Sequence, residues 1–95
     1  MTYDLEFKKS ALKEWKKLGA TIQSQFKKKL TNVLSNPHIE SAKLSAGNKL
    51  YKIELRQVGY RLVYEVNDTV VTVTVISVGK RDKGKVYKAA MERIN

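Results

Sequence analysis

The chain has 95 residues, 42% of them hydrophobic, and contains no cysteine. This length suits one domain with a small core, and the lack of cysteine excludes a disulfide scaffold or a zinc site built on thiolates. Nineteen Lys and Arg face nine Asp and Glu, a net charge of +10 that is shared evenly, with 9 − 4 = +5 in residues 1–46 and 10 − 5 = +5 in residues 47–95. A domain that is basic throughout favours a nucleic acid or an acidic protein as its partner.

The N-terminal half predicts one strand and a helical hairpin. Apolar and acidic side chains alternate over residues 3–7, which is typical of a short strand. Apolar residues at helical spacing predict helices over 10–18 and 20–35, which end at Gly19 and at Asn36-Pro37. The outer faces of both helices are rich in lysine, at Lys13, Lys16, Lys17, Lys27, Lys28 and Lys29.

The C-terminal half predicts three strands and a closing helix. After a loop over 40–48, alternation with a period of two indicates strands over 51–56 and 61–66, and a strand rich in Val and Thr follows over 70–78. The segment 82–93 has the apolar spacing of a helix. The order β-α-α-β-β-β-α predicts a single α+β domain over residues 1–95, with an antiparallel sheet, helices on one face that include the helical hairpin, and a C-terminal helix.

The alternation also predicts how the first two strands of the C-terminal half pair. If Arg56 lies opposite Arg61, the apolar side chains of both strands share the core face, and Lys52 lies opposite Glu65 as a favourable cross-strand pair. We therefore expect the other face of the sheet to be polar, mostly cationic and not covered by a helix.

No membrane partner is expected. No apolar run approaches the roughly 20 residues that a transmembrane helix needs. The first residues, Met1 to Asp4, lack the basic start of a signal peptide. The expected location is the cytoplasm.

Few residues other than cations offer site chemistry. The one histidine, His38, has no histidine, cysteine or clustered carboxylate near it in the sequence, so we expect a solvated side chain and no metal site. The glycines fit no phosphate-binding loop. Converging cations beside Tyr87 could hold a phosphate or stabilise phosphoryl transfer, and these residues alone favour binding over catalysis. These cations are Lys52, Arg56, Arg61, Lys80 and Arg81.

Several blocks of the sequence resemble a known family in order and spacing. They are Ala11-Leu-Lys-Glu-Trp-Lys-Lys-Leu-Gly19, Asn36-Pro37, Tyr51-Lys-Ile-Glu-Leu-Arg56, Gly59-Tyr-Arg-Leu-Val-Tyr64, Ile76-Ser-Val-Gly-Lys-Arg81 and Val86-Tyr87. Together they run almost end to end and resemble the RelE toxins of bacterial toxin–antitoxin pairs, in the RelE/ParE superfamily. The fold of that family agrees with the element order derived above.

The resemblance implies an mRNA interferase, a ribosome-dependent endoribonuclease that cuts message in the ribosomal A site and inhibits translation. In this chemistry the 2′-hydroxyl of the RNA attacks the adjacent phosphate and leaves a 2′,3′-cyclic phosphate and a free 5′-hydroxyl, without a metal or other cofactor. The resemblance also implies a cognate, acidic RelB-like antitoxin, contact with DNA only through the antitoxin complex, and a bacterial or archaeal cytoplasm.

The roles of the site residues follow from the same resemblance. Arg61 would hold the scissile phosphate, and Lys52 would add positive charge beside it. Arg81 would stabilise or protonate the leaving oxygen, and Tyr87 would stack on a base or orient the sugar. Contacts to RNA or the ribosome are expected from the six lysines of the helical hairpin together with Arg56, Lys80 and Lys83.

Two positions depart from the pattern of the best-studied family members. Ser45 stands where they carry an arginine, which removes one loop cation. Glu54 stands where they carry a second lysine. Glu54 could be a general base, because a related branch, the YoeB type, uses a glutamate in that role. It could instead pair with Lys52 or Arg61 and weaken activity, or be an inactivating change, and the residues leave these alternatives open.

Two other functions also stay open. A ParE-type toxin of the same superfamily would inhibit DNA gyrase without cutting RNA, although the set of Lys52, Arg61, Arg81 and Tyr87 argues against it. A non-catalytic nucleic-acid-binding domain would use the same cations only to hold phosphate. Cuts spaced by codons in a translated message would support the nuclease, whereas binding without cuts would support the last alternative.

Overall fold

The structure is a computed structural model that describes residues 2–44, 49–80 and 84–94. It confirms the α+β class and the order of the elements. These are β1 (Asp4–Phe7), α1 (Lys9–Lys16), α2 (Ala20–Ser35), a 3-10 turn (Glu40–Ala42), β2 (Leu50–Leu55), β3 (Tyr60–Asn67), β4 (Thr72–Lys80) and α3 (Lys85–Ile94). None of the helices described here is long and apolar enough to cross a bilayer.

The helical hairpin follows the sequence prediction closely. Helix α2 has the predicted bounds, and it ends where Asn36 leaves the helical region, because a residue before proline is disfavoured there. Helix α1 is shorter than predicted and stops at Lys16. Ala11, Trp15 and Phe26 are buried where the two helices meet the sheet.

The four strands lie in the order β1-β4-β3-β2. Strands β2, β3 and β4 form the predicted antiparallel meander. Strand β1 differs, because it pairs in parallel with β4, from Asp4 opposite Thr72 to Phe7 opposite Val75. Parallel neighbours need a long crossover between them, and the helical hairpin lies within that connection. The alternation within a single strand cannot reveal such a distant partner.

The predicted register of β2 and β3 is wrong by two residues. Glu54, rather than Arg56, lies opposite Arg61, and Leu50, rather than Lys52, lies opposite Glu65. The reason is the turn, which Gly59 closes by donating its N–H to the carbonyl of Leu55 at 2.8 Å with a φ of +71°. A slip of two residues keeps every side chain on its predicted face, because side chains along a strand repeat every two residues.

One face of the sheet carries the helical hairpin and the larger core. We call this the hairpin face. Trp15, Phe26 and Leu30 pack there in one cluster with the inward side chains of the sheet, including Tyr64, which is fully buried. The Tyr64 hydroxyl donates to the carbonyl of Pro37 at 3.1 Å, and burial raises the pKa of this phenol.

The other face is covered by α3, and we call it the α3 face. This corrects the prediction of helices on one face and of an open outer surface. Val86 and Ala90 pack on Leu50, Val63 and Ile76. The physical reason is a bulge in β4. Val63 of β3 pairs with Ser77 of β4, and the next residue, Tyr64, pairs with Val75. Ile76 therefore has no partner in β3 and is an extra residue in the ladder.

The bulge places two neighbouring residues of β4, Ile76 and Ser77, on the α3 face. Ser77, the residue after Ile76, is buried beside it and donates its hydroxyl to the carbonyl of Val86 at 2.7 Å. The open polar surface of this face is therefore smaller than predicted.

Candidate active site

Three predicted site residues meet on the α3 face. Lys52 and Glu54 alternate with core residues along β2, and Glu54 lies directly opposite Arg61 of β3. The side chain of Lys52 is 34% exposed, that of Glu54 is 15% exposed and that of Arg61 is 17% exposed. The acid and the arginine are therefore largely shielded, while the lysine faces solvent. The strand register brings these charges together, and burial strengthens their interactions.

Glu54 is the centre of this charge cluster. Lys52 Nζ lies 2.8 Å from Glu54 Oε1, a charge-assisted hydrogen bond. Arg61 Nε lies 4.0 Å from Glu54 Oε2, within ion-pair range and beyond hydrogen-bond range. In the described part of the chain, the buried Nε of Arg61 has no hydrogen-bond partner. Leaving a buried donor unpaired costs roughly 1–3 kcal/mol. The Nε of Arg61 therefore has the charge of Glu54 near it and no hydrogen-bond acceptor among the described residues.

Tyr87 reaches the same place from α3. The guanidinium carbon of Arg61 lies 4.8 Å from the centroid of the Tyr87 ring, a cation–π contact that fixes the plane of the guanidinium. Tyr87 is half-buried, so part of its ring faces solvent. Packing of α3 on the sheet is what brings Tyr87 and Arg61 together.

The environment of Glu54 keeps it ionised. The hydrogen bond from Lys52 is the main cause that holds the pKa of Glu54 below its usual value, and the charges of Lys52, Arg61 and Arg56 act in the same direction. Partial burial opposes them without reversing the direction. Near neutral pH this residue is a carboxylate, and a carboxylate with a lowered pKa is a weak general base.

The remaining predicted contact residues are spread over two surfaces. Arg56 is exposed in the turn after β2, and Lys80 is exposed at the end of β4 opposite Tyr60. The hairpin lysines are exposed on the helical layer on the other side of the sheet, at Lys13, Lys16, Lys17, Lys27, Lys28 and Lys29. Arg81, Lys83 and Ser45 lie outside the described residues.

A groove that the sequence analysis did not foresee connects these two surfaces. It has a volume of about 720 Å³ and runs between α2 and the outer edge of β2. Lys52, Glu54 and Arg56 line one side, and Lys29 of α2 lines the other. An edge strand beside a helix is not visible in a local pattern, because it depends on the order of strands in the sheet.

His38 is exposed, as predicted, but it also has a carboxylate partner that the sequence analysis missed. Its ring Nε2 lies 2.8 Å from Asp68 Oδ1, and its Nδ1 lies 3.2 Å from the Tyr51 hydroxyl. The hydroxyl of Tyr3 donates to the same Asp68 oxygen at 2.6 Å. The sequence alone does not reveal this partner, because Asp68 follows β3 and lies thirty residues after His38.

This His38–Asp68 cluster is remote from the candidate active site. Asp68 lies beyond the far end of β3, roughly 20 Å from Arg61 if each residue of a strand advances about 3.3 Å. Among the residues that the structure describes, no group of three or more His, Asp and Glu side chains could hold a metal ion.

Comparisons with known proteins match most of the chain. The model of the family described as the ParE toxin of type II toxin–antitoxin systems, parDE, matches residues 5–84. The mRNA interferase toxin RelE of Escherichia coli (strain K12) is 55% identical over 94 residues, which is 99% of each chain.

Solved structures of E. coli RelE show the same fold. A double arginine mutant in the free state is 54% identical, covers 100% of both chains and superposes with a TM-score of 0.92. The same mutant in complex with the antitoxin RelBc peptide also covers both chains fully at 54% identity, with a TM-score of 0.83. The better superposition is with the free toxin.

Proposed function

The chain belongs to the ParE toxin family of type II toxin–antitoxin systems and is a RelE-type mRNA interferase; we propose that it cuts message in the ribosomal A site with the cluster of Lys52, Arg61 and Tyr87. The observation that carries this proposal is the buried Nε of Arg61, which has no hydrogen-bond partner among the described residues and is held on the Tyr87 ring. A shielded, oriented arginine is well suited to grip a phosphate.

The comparison favours a nuclease over a gyrase inhibitor. The family model carries the name ParE, but the relative that matches the chain over its whole length is named an mRNA interferase. The convergence of Lys52, Arg61 and Tyr87 supports the same choice, since these are the residues that a RelE-type site uses. Its partners are message and a cognate antitoxin, as in the complex of RelE with the RelBc peptide.

The proposed reaction is an internal transfer at the scissile phosphate. The 2′-hydroxyl of the RNA loses its proton to solvent as its oxygen forms a bond to phosphorus. The bond from phosphorus to the 5′-oxygen breaks, and this leaving oxygen gains a proton from solvent. Arg61 would bind the non-bridging oxygens through its guanidinium group and stabilise the charge that develops on them. Lys52 would add a second positive charge 2.8 Å from Glu54, and the exposed part of Tyr87 would contact the nucleotide.

Within this proposal Glu54 is an ion-pair residue and not the general base. Its carboxylate is bound to Lys52 and faces Arg61, and both cations hold its pKa down. A phosphate that approaches Arg61 must therefore share these cations with Glu54. The result is a working site with less positive charge than one that carries a lysine at this position.

The ribosome would supply what the site lacks. A cluster that rests on cations has weak proton-transfer groups, so correct placement of the message should contribute much of the rate. The exposed lysines of α1 and α2 would bind ribosomal RNA, and the groove beside Lys29 would continue that contact towards the site. We place this activity in the cytoplasm, where ribosomes and message meet.

The test is a comparison of free and ribosome-bound message. Purified protein is incubated with a message alone and with the same message on programmed ribosomes, and the new 5′ ends are mapped. We expect cuts at the A-site codon only on ribosomes, with 5′-hydroxyl ends that need phosphorylation before ligation, and loss of cutting when the antitoxin is added. Efficient cutting of free message would contradict the ribosome dependence, and inhibition of gyrase without cuts would contradict the nuclease.

A further inference from the structure

A cluster of polar contacts ties the end of α3 to α1 and β4. Arg93 Nη1 donates to Glu14 Oε1 and to the carbonyl of Ile76, both at 2.8 Å, and Arg93 Nη2 donates to Glu14 Oε2 at 3.2 Å. Glu14 Oε1 also accepts the main-chain N–H of Val78 at 3.3 Å. We call this set of bonds the Glu14–Arg93 clamp. It joins three elements with a forked, charge-assisted pair, the strongest kind of side-chain hydrogen bonding.

A further bond closes the last turn of α3. Lys8, just before α1, donates from its Nζ to the main-chain carbonyl of Arg93 at 3.2 Å. The carbonyls of the last helical turn have no partner within the helix, and a lysine there also complements the negative end of the helix. The C-terminal end of α3 is therefore held by side chains from the other side of the domain.

The clamp matters because the apolar contact of α3 is small. Among its described side chains only Val86 and Ala90 are fully buried, whereas the hairpin face buries Trp15, Phe26 and Leu30. Tyr87 and Met91 are partly buried against the same cluster and add to this contact, which is still smaller than that of the hairpin face. The polar contacts at its C-terminal end therefore add to a modest apolar contact in holding α3 on the sheet.

The same helix carries the aromatic residue of the candidate active site. Tyr87 lies six residues before Arg93, so the clamp and the ring are roughly 9 Å apart along the axis at 1.5 Å per residue. A short helix moves as one body, and a small tilt at the clamped end would shift the ring under Arg61. Displacement of a reacting group by about 1 Å can cost on the order of 10²-fold in rate.

We propose that Glu14 and Arg93 are positioning residues that hold α3 so that Tyr87 orients Arg61 for phosphate binding. This inference rests on the proposed nuclease function. Neither residue touches the substrate in it, and both act only through Tyr87. The clamp makes the site of the α3 face depend on a residue of α1, on the opposite layer of the domain.

The test is a double-mutant cycle between Glu14 and Tyr87. Glu14→Gln keeps the shape and one oxygen of the side chain but removes the forked ion pair. Glu6→Gln, at an exposed position of β1, makes the same chemical change away from the clamp. We expect Glu14→Gln to lower the single-turnover cleavage rate on programmed ribosomes by about 3- to 10-fold, and by no more than removal of the Tyr87 ring does. The ribosome affinity should stay within about twofold, and Glu6→Gln should change neither quantity.

The same change made in Tyr87→Ala protein separates a positioning role of Glu14 from general destabilisation of the fold. If Glu14 acts through Tyr87, the additional loss from Glu14→Gln should fall to less than about twofold once the ring is absent. An equal loss in both backgrounds, or no loss in either, would overturn the inference.

A second measurement does not depend on cleavage. In NMR spectra of the free protein, Glu14→Gln should shift the Tyr87 ring signals and speed hydrogen exchange of the α3 amides, while Glu6→Gln should leave both unchanged. If the wild-type protein fails to cut message, the proposed function fails and these spectra still decide the inference. Unchanged Tyr87 signals and exchange rates would reject the clamp as a positioning device.

Discussion

The two faces of the sheet differ in what holds them. On the hairpin face, large side chains such as Trp15, Phe26 and Tyr64 form one apolar cluster. On the α3 face the apolar contact is small, and charges occupy the space beside it, with Glu54 between Lys52 and Arg61. Most of the apolar packing lies on one face, and the other holds the charged groups that we propose bind a polyanion.

This division has a physical basis. A charged site cannot lie inside a large apolar core without a desolvation cost, and a thin cover leaves the charges shielded but reachable. At the bulge, Ile76 packs on Val86 and Ala90 of α3. Changes on the hairpin face should therefore affect folding, and changes on the α3 face should affect cleavage.

The largest expected effect is on folding, from a change in the hairpin core. Phe26 is fully buried, so Phe26→Ala should lower the free energy of unfolding by about 3–5 kcal/mol. Val86→Ala on the α3 face removes about two methylene equivalents and should cost only about 1.6 kcal/mol. Urea unfolding followed by Trp15 fluorescence measures both. Equal losses would show that the faces share stability more evenly than their side chains indicate.

The next effect is on cleavage, from the α3 face. Arg61→Ala should slow single-turnover cleavage by about 10²–10³-fold, as loss of a transition-state hydrogen-bond donor does, and leave unfolding nearly unchanged. Arg61→Lys keeps the charge but loses the planar fork and the stacking, and should recover only part of the rate. Lys49→Ala, which removes an exposed cation just before β2 and outside the proposed contact residues, is the control. An unchanged rate for Arg61→Ala would remove this cluster from the mechanism.

Tyr87 should show an intermediate effect that separates its ring from its hydroxyl. A cation–π contact contributes roughly 0.5–2 kcal/mol, so Tyr87→Ala should slow cleavage by about 2- to 30-fold through Arg61 alone. Tyr87→Phe keeps the ring 4.8 Å from the guanidinium and should stay close to the wild-type rate. A loss in Tyr87→Phe as large as in Tyr87→Ala would assign the chemistry to the hydroxyl.

Glu54 should show a smaller effect of the opposite sign. Glu54→Gln removes the carboxylate that competes with phosphate for Lys52 and Arg61, so cleavage should become faster, by up to about fivefold. Glu54→Lys should raise it further, at least for RNA binding. Rates measured across pH provide the check. If Glu54→Gln is slower and loses the acidic limb of the pH–rate profile, Glu54 is the general base after all.

The sequence predicted the elements better than their partners. Residues 20–35 carry both the helical spacing and the stop at Asn36-Pro37, so local patterns were sufficient for α2. The register of β2 and β3 depended on the turn at Gly59, which alternation does not record. The parallel partner of β1 and the cover of the α3 face depended on contacts between distant residues, which a single sequence does not show.

The alternation along each strand was sufficient to predict which residues of the candidate site share one face of the sheet. The register was wrong by two residues, yet Lys52, Glu54 and Arg61 still share one face, because face depends only on odd and even positions. The actual register gives the pairing of Glu54 with Arg61. The roles of Arg81 and Lys83 stay predictions. The Glu14–Arg93 clamp joins positions at opposite ends of the chain, and no motif marks it.

The smallest effect should come from the His38–Asp68 cluster, which borders the hairpin face and is remote from the charged site. The hydrogen bond from the Tyr3 hydroxyl is the main cause that lowers the pKa of Asp68, and the bond with His38 adds to it. A carboxylate whose pKa is lowered in the folded state adds stability at pH values above its ordinary pKa of 3.8, and this stability is lost as the pH falls through the lowered pKa.

Asp68→Asn should therefore lower the urea midpoint near neutral pH, and the difference from wild type should shrink in acid. Asp4→Asn removes another exposed carboxylate from the neighbouring β1 and should show no such convergence. Cleavage rates should be the same for all three proteins. A constant difference between wild type and Asp68→Asn at every pH would mean that the cluster contributes through its shape, and a lower cleavage rate would mean that the two faces are coupled at this end of the sheet.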